Sequence, residues 1–264
     1  MNQKSTMNKH RTMRRRNRIL PVMISVCVVS VLIIIAVVSH LKKSDSSAVA
    51  EGTAYLQRLE NRDMDQISAD VIAVRKKARA EKIASGELSL WAQFEGSVFF
   101  GDSRTVGLYY YGFIDQAYVL ADAGWTIADL KEKEDEIVAK SPENLFLCTG
   151  LNDVSIGLWN TPEEYTSAYD EVVTELMQKL PNTHIYINSI FPAQDPAFEK
   201  SEKWREIPEY TKAVKNMCEE KGYTYIDNTE VYEQHKDLYD QDGIHFQKEF
   251  YEYWGRNMAN ALDL

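Results

Sequence analysis

From residue 97 onward the chain alternates short apolar runs with amphipathic helical stretches, and this alternation limits what it can fold into. The runs fall at residues 97–100, 117–120, 144–148, 184–190 and 223–226. Between the third and fourth, Thr161-Pro162-Glu163-Glu164 combines a capping box with proline at the first helical position. Tyr165, Ala168, Tyr169, Val172, Val173, Leu176, Met177 and Leu180 then form an apolar stripe until Pro181 stops the helix. Similar patterns predict helices at about residues 127–140 and 207–220. The last helix is expected to use Phe246, Phe250, Tyr253, Trp254, Met258 and Ala261. Five strands separated by helices predict an α/β fold: a parallel sheet covered on both faces, with right-handed crossovers.

The preceding segment has a different composition. Of the 30 Lys/Arg and 40 Asp/Glu residues, nine basic and no acidic ones fall in residues 1–43. The remainder carries 21 basic against 40 acidic residues, a net charge of −19. So acidic a surface argues against nucleic acid as a partner. Residues 19–38 form an uncharged run of 20, long enough to cross a bilayer as a helix. Seven basic residues precede it, and only Lys42 and Lys43 follow closely. The positive-inside rule then leaves the N-terminus in the cytoplasm and the rest outside the cell membrane. Ala48-Val49-Ala50 resembles a cleavage site, but it lies ten residues past a run long for a signal peptide, so an uncleaved anchor is favoured. The expected organisation is a basic cytoplasmic tail (1–18), a transmembrane signal-anchor (19–40), a linker and helical stalk (41–96) and a catalytic domain (97–264). The stalk's apolar stripe is read as Ile67, Val71, Val74 and Ala78. Cys27, Cys148 and Cys218 give no disulfide framework.

In an open parallel sheet, sites form beyond the C-terminal ends of the strands. Gly101-Asp102-Ser103 follows the first run, Ala123-Gly124 the second and Gly150-Leu151-Asn152-Asp153 the third. Asp242-Gly243-Ile244-His245 lies after the fifth, just before the last helix. All four segments are therefore expected on one edge of the sheet. Of the five histidines only His245 has an aspartate three residues before it. An Asp-x-x-His turn can hold an imidazole from behind and fix its tautomer, so that it takes a proton from a serine hydroxyl. Acyl transfer also needs donors for the developing oxyanion. Ser103 and Gly124 can supply backbone N–H groups and Asn152 a side-chain amide. Asp102 and Asp153 are read as loop-positioning hydrogen-bonders, and His184 and His235 as surface or structural groups. Asp240, Asp242 and Glu249 partly resemble a calcium loop, but Leu238 stands where its first carboxylate belongs, so no metal is expected.

Gly-Asp-Ser, Gly, Gly-x-Asn-Asp and Asp-x-x-His, in that order over residues 97–260, resemble the SGNH hydrolases, also called GDSL esterases. The resemblance implies a three-layer α/β/α sandwich with a five-stranded, flavodoxin-like parallel sheet. It implies that Ser103, Gly124, Asn152 and His245 take the four signature roles, Asp242 orienting the histidine, and that esters are hydrolysed without a metal or other cofactor. One departure is Arg104, which stands where the family name has leucine; it is expected to pair with a nearby acid. Tyr109, Tyr110, Tyr111, Trp125 and Trp159 lie near the expected active edge, where aromatics either stack on a sugar or pack the core.

The expected function is extracytoplasmic hydrolysis of O-acyl esters, acetyl or short-acyl, on small molecules or cell-surface carbohydrate. A lipid acylhydrolase or an O-acyltransferase would use the same residues, and a non-catalytic surface binding protein would keep the fold. The N-terminal reading predicts that protease added to intact cells removes the C-terminal domain while a tag before Arg11 stays protected. Recovery of a soluble form beginning at Glu51 would instead indicate a cleaved signal peptide.

Overall fold

Five parallel strands, β1 (Ser97–Gly101), β2 (Val119–Ala121), β3 (Asn144–Cys148), β4 (His184–Asn188) and β5 (Thr224–Ile226), form one sheet in the order β2-β1-β3-β4-β5. They are seen in a computed structural model that describes residues 25, 28–40, 49, 51–55 and 64–262. This strand order is that of flavodoxin-like sheets, in which the direction of strand addition reverses between β1 and β3. The helices are α1 (Met64–Ala84), α2 (Ser103–Tyr110), α3 (Asp129–Lys140), α4 (Leu151–Ile156), α5 (Pro162–Lys179), α6 (Asp195–Phe198), α7 (Ile207–Lys221), α8 (Thr229–Gln234) and α9 (Phe250–Ala261).

Every residue of β1 is buried, which requires cover on both faces. The period of two along each strand divides its side chains between two cores. Val98, Phe100, Leu145, Leu147 and Ile187 face one side with Leu130, Tyr169, Leu176 and Val214 from α3, α5 and α7. Phe99, Phe146, Tyr186 and Ile226 face the other with Leu108 of α2 and Phe250, Trp254 and Met258 of α9. On this second face Phe99, Phe146 and Tyr186 are register neighbours. Their rings stack in a row across three strands, each pair of centroids 4.8 Å apart. Such pairs add about 0.5–1.5 kcal/mol each beyond the area they bury.

The α5 start follows its sequence signature: Thr161 Oγ1 accepts from Glu164 N–H, with Pro162 in the first turn. The last helix begins at Phe250, later than expected, because Phe246 pairs with Tyr239 in an antiparallel bridge. Cys148 and Cys218 are free, buried thiols.

The chain divides into two compact units, Met1–Val71 and Ile72–Leu264. In the first, residues 28–40 and 51–55 are helical and exposed. The expected membrane segment lies partly outside the described residues; among the described residues no helix is long and apolar enough to cross a membrane. The second unit begins upstream of residue 97, because the expected stalk contributes to the core. Ile83, Leu90 and Phe94 are buried in the α9 face. Arg79 Nη1 donates to the carbonyl of Ala259 (2.9 Å), one of the last four of α9, which also accepts from Leu262 N–H (3.2 Å). The inward face of α1 therefore runs through Lys76, Arg79, Ala80 and Ile83, while Val71, Val74 and Ala78 of the expected stripe are exposed.

Phe146→Ala should destabilise the domain by about 3–5 kcal/mol, since it removes the middle ring of the stack. Val74→Ser should change stability by no more than about 0.5 kcal/mol. Urea denaturation of the two variants checks the contrast.

Candidate active site

β1 ends at Gly101, and the chain turns at once into α2 through Asp102. Asp102 caps the helix: its carboxylate accepts from Arg104 N–H (2.9 Å) and its carbonyl from Thr105 and Val106 N–H. Ser103 N–H, at the first helical position, is the one first-turn donor that Asp102 does not take. Burial pushes the Asp102 carboxyl up, against the opposing pull of the Arg104 guanidinium. Ser103 itself is half-buried and stands at the C-terminal edge of a rigid strand.

His245 arrives from the other end of the chain on a loop closed by short-range hydrogen bonds. Asp240 N–H donates to the His245 carbonyl (2.8 Å), Gly243 N–H to the Asp240 carbonyl (3.0 Å) and Gln247 N–H to the Leu238 carbonyl (2.9 Å). The turn needs φ = +70° at residue 243, which glycine adopts without strain. Within it, Asp242 Oδ1 accepts from the N–H groups of Ile244 and His245 (both 2.9 Å), and Oδ2 contacts His245 Nδ1 at 2.6 Å. Burial pushes the Asp242 carboxyl up, but these donors outweigh it and hold it down at about 2. Asp242 is then an anion at neutral pH and can only accept, so Nδ1 carries the proton. In the neutral ring Nε2 is left as an acceptor. Ser103 Oγ lies 2.9 Å from His245 Nε2. The structure thus brings Ser103, His245 and Asp242 into one line of hydrogen bonds.

Gly124 sits on the loop after β2 and Asn152 in the first turn of α4, which follows β3; β2 and β3 are the two neighbours of β1. Asn152 Nδ2 donates to the carbonyl of Trp125 (3.0 Å), leaving its second N–H uncommitted to that bond. Asp153 Oδ1 accepts from Ile127 N–H (2.8 Å). Both residues therefore tether the 122–127 loop, the positioning role expected of Asp153. Glycine at position 124 relieves backbone strain. A Cβ there would meet no protein atom within 4 Å, but φ is +85°.

A model of the GDSL-like lipase/acylhydrolase family matches residues 99–253. The chain belongs to that family. Among solved structures, the lipase/acylhydrolase from Enterococcus faecalis is 19% identical, with a TM-score of 0.51 over 62% of this chain and 92% of that one. An acetylxylan esterase from Geobacillus stearothermophilus is 18% identical, with a TM-score of 0.50 over 64% of this chain and 94% of that one. At these identities the likeness is one of fold. Comparison with curated proteins finds no match.

In this GDSL-like protein Arg104 does not pair with an acid, contrary to expectation. Its guanidinium is buried against backbone carbonyls, those of Ile244 (2.8 Å), Phe191 (2.6 Å) and Pro192 (3.1 Å). Of the aromatics near the edge, Tyr110 is exposed, Trp125 stacks on Phe100 and Trp159 packs beside Tyr165. His235 stacks on Tyr253. The Asp242 carboxylate is committed to the His245 turn, and no group of three or more metal-ligating side chains occurs among the described residues.

Asp153 is fully buried, and its Oδ2 has no hydrogen-bond partner among the described residues. Burial pushes its carboxyl from 3.8 up to about 7, against the Ile127 N–H that favours the anion. The folded state therefore holds this proton more tightly than the unfolded chain. The contribution is full below about pH 4 and is lost as pH rises through about 7. Asp153→Asn keeps the acceptor for Ile127 and removes the titration. The fall in thermal midpoint between pH 4 and 7 should be smaller in this variant than in the wild type; equal falls would show that Asp153 does not titrate there.

Proposed function

We propose that this acylhydrolase-family protein is a serine esterase acting outside the cytoplasmic membrane on short O-acyl groups of carbohydrate. The observation that carries the reading is the continuous hydrogen-bonded line Asp242–His245–Ser103. Ser103 Oγ attacks the ester carbonyl carbon as its proton passes to His245 Nε2. The imidazolium that forms is stabilised by the Asp242 anion behind it. The tetrahedral oxyanion is received by the N–H groups of Ser103 and Gly124 and by the Asn152 amide. Each such donor is typically worth about 3–4 kcal/mol in the transition state. Return of the proton to the leaving alcohol gives an acyl-enzyme. Water, deprotonated by the same imidazole, then releases the acid and restores Ser103.

Three considerations support the substrate class. Ser103, Asn152, Asp242 and His245 are half-buried and Gly124 is exposed, so the edge is open to a bulky hydrophilic alcohol. No long run of aliphatic residues flanks Ser103 in the sequence, as a lipid-binding channel would need. The fold is shared with an acetylxylan esterase. The extracytoplasmic setting rests on the basic N-terminus and the uncharged run that follows it.

Ser103→Ala should lower ester turnover by on the order of 10⁶ without unfolding the domain. Asp242→Asn should cost less, because an imidazole base remains. Against aryl esters of graded chain length the wild type should turn over acetyl faster than octanoyl. A wild-type rate in Ser103→Ala would end the mechanism, and a preference for octanoyl would replace carbohydrate with lipid as the substrate class.

A further inference from the structure

Arg104 is the side chain that the esterase mechanism leaves unused, although it adjoins the nucleophile. It is 4% exposed, and no carboxylate lies within ion-pair distance of it among the described residues. A buried cation outside an ion pair is costly unless hydrogen bonds replace its hydration. Here three of its five N–H donors, one on each nitrogen, are met by carbonyls from two separate loops. Nε binds the carbonyl of Ile244, the residue before His245, and the guanidinium face lies 5.1 Å from the ring of Phe246, the residue after it. One side chain therefore grips both sequence neighbours of the imidazole.

The other end of this grip is fixed to the nucleophile turn. Arg104 N–H is held by Asp102 Oδ1, and its carbonyl accepts from Tyr251 OH (2.7 Å) on α9. Nη1 and Nη2 extend the contact to Phe191 and Pro192, in the loop after β4. That loop also binds the turn directly, through Gln194 N–H to the Gly243 carbonyl (2.9 Å). We infer that Arg104 is a positioning residue, which ties the Ser103 turn to the His245 loop and keeps the imidazole aligned with the hydroxyl. The inference rests on the esterase reading for its consequence in catalysis, but the alignment it describes is a property of the chain itself.

The geometry makes the role specific to arginine. A planar fork with donors on three nitrogens spans three carbonyls from two loops; an ammonium has its three donors on one nitrogen and lacks that span. Leucine or methionine would fill the space and leave the carbonyls of Phe191 and Ile244 without this donor. The Pro192 carbonyl would keep Tyr239 OH (2.9 Å). The Tyr239–Phe246 bridge and the Gln194–Gly243 bond would also persist, so the loop should still fold but with its imidazole less constrained.

The test compares wild type, Arg104→Met, Arg104→Lys and Ser103→Ala by two readouts. In the first, steady-state kinetics with an aryl acetate, Arg104→Met should lose on the order of 10² in kcat with KM unchanged, as misplacement of a catalytic group by about an ångström can cause. Arg104→Lys should lose less. In the second, the ¹⁵N resonance of His245 Nε2 in Arg104→Met should move toward its position in Ser103→Ala, where the hydroxyl donor is gone. A wild-type Nε2 resonance in a folded Arg104→Met, or a raised KM with unchanged kcat, overturns the inference. Should Arg104→Met fail to fold, Arg104→Lys is held to the same two criteria. If the wild type hydrolyses no ester, the esterase reading fails by itself, and the resonance comparison still decides the role of Arg104.

Discussion

β1 is paired on both edges and covered on both faces, and the position of every candidate group follows from that constraint. A one-residue shift in the register of this strand would move Phe99 and Phe100 each to the opposite core, out of the packing each now makes. Its last residue, Gly101, is therefore a fixed point, and Ser103 stands two residues beyond it. Parallel pairing with β2 and β3 brings the ends of those strands to the same edge, with Gly124 on the loop after β2 and Asn152 in the first turn of α4 after β3. The distance from Ser103 to His245 along the chain is spanned by the rest of the sheet, which returns the chain to that edge before α9.

The polar groups at this edge divide the work according to how deeply they lie. Asp242 is half-buried and surrounded by donors, so it stays an anion and can orient an imidazole. Asp153 is fully buried with one donor, so its carboxyl is pushed up and it serves as a tether for the 122–127 loop. Asp102, also buried, caps α2 and fixes the turn that presents Ser103. Three aspartates within one edge thus have three different jobs, set by burial and by the N–H groups each one meets.

Much of this was legible in the sequence. The five runs mark the five strands, the capping signature at Thr161 marks α5, and the Asp-x-x-His spacing anticipates the turn in which one carboxylate meets both the backbone and the ring. What was not legible depends on partners that carry no sequence identity. Arg104 was expected to seek an acid, but it binds carbonyls, and any residue can offer a carbonyl. The docking face of α1 was misassigned because Val71 and Val74 form the more apolar stripe, whereas the face turned inward carries half-buried Lys76 and Arg79 beside buried Ile83. The φ of +85° at Gly124 is likewise a backbone angle that residue types alone do not display.

The central claim is that the hydroxyl of Ser103 is made nucleophilic by His245. Reaction of the folded protein with a fluorophosphonate, followed by mass mapping of the adduct, tests this most directly. The account predicts a single phosphonylated residue, Ser103, in the wild type and no adduct in His245→Ala. Labelling of a different serine, or undiminished labelling of Ser103 in His245→Ala, would contradict it.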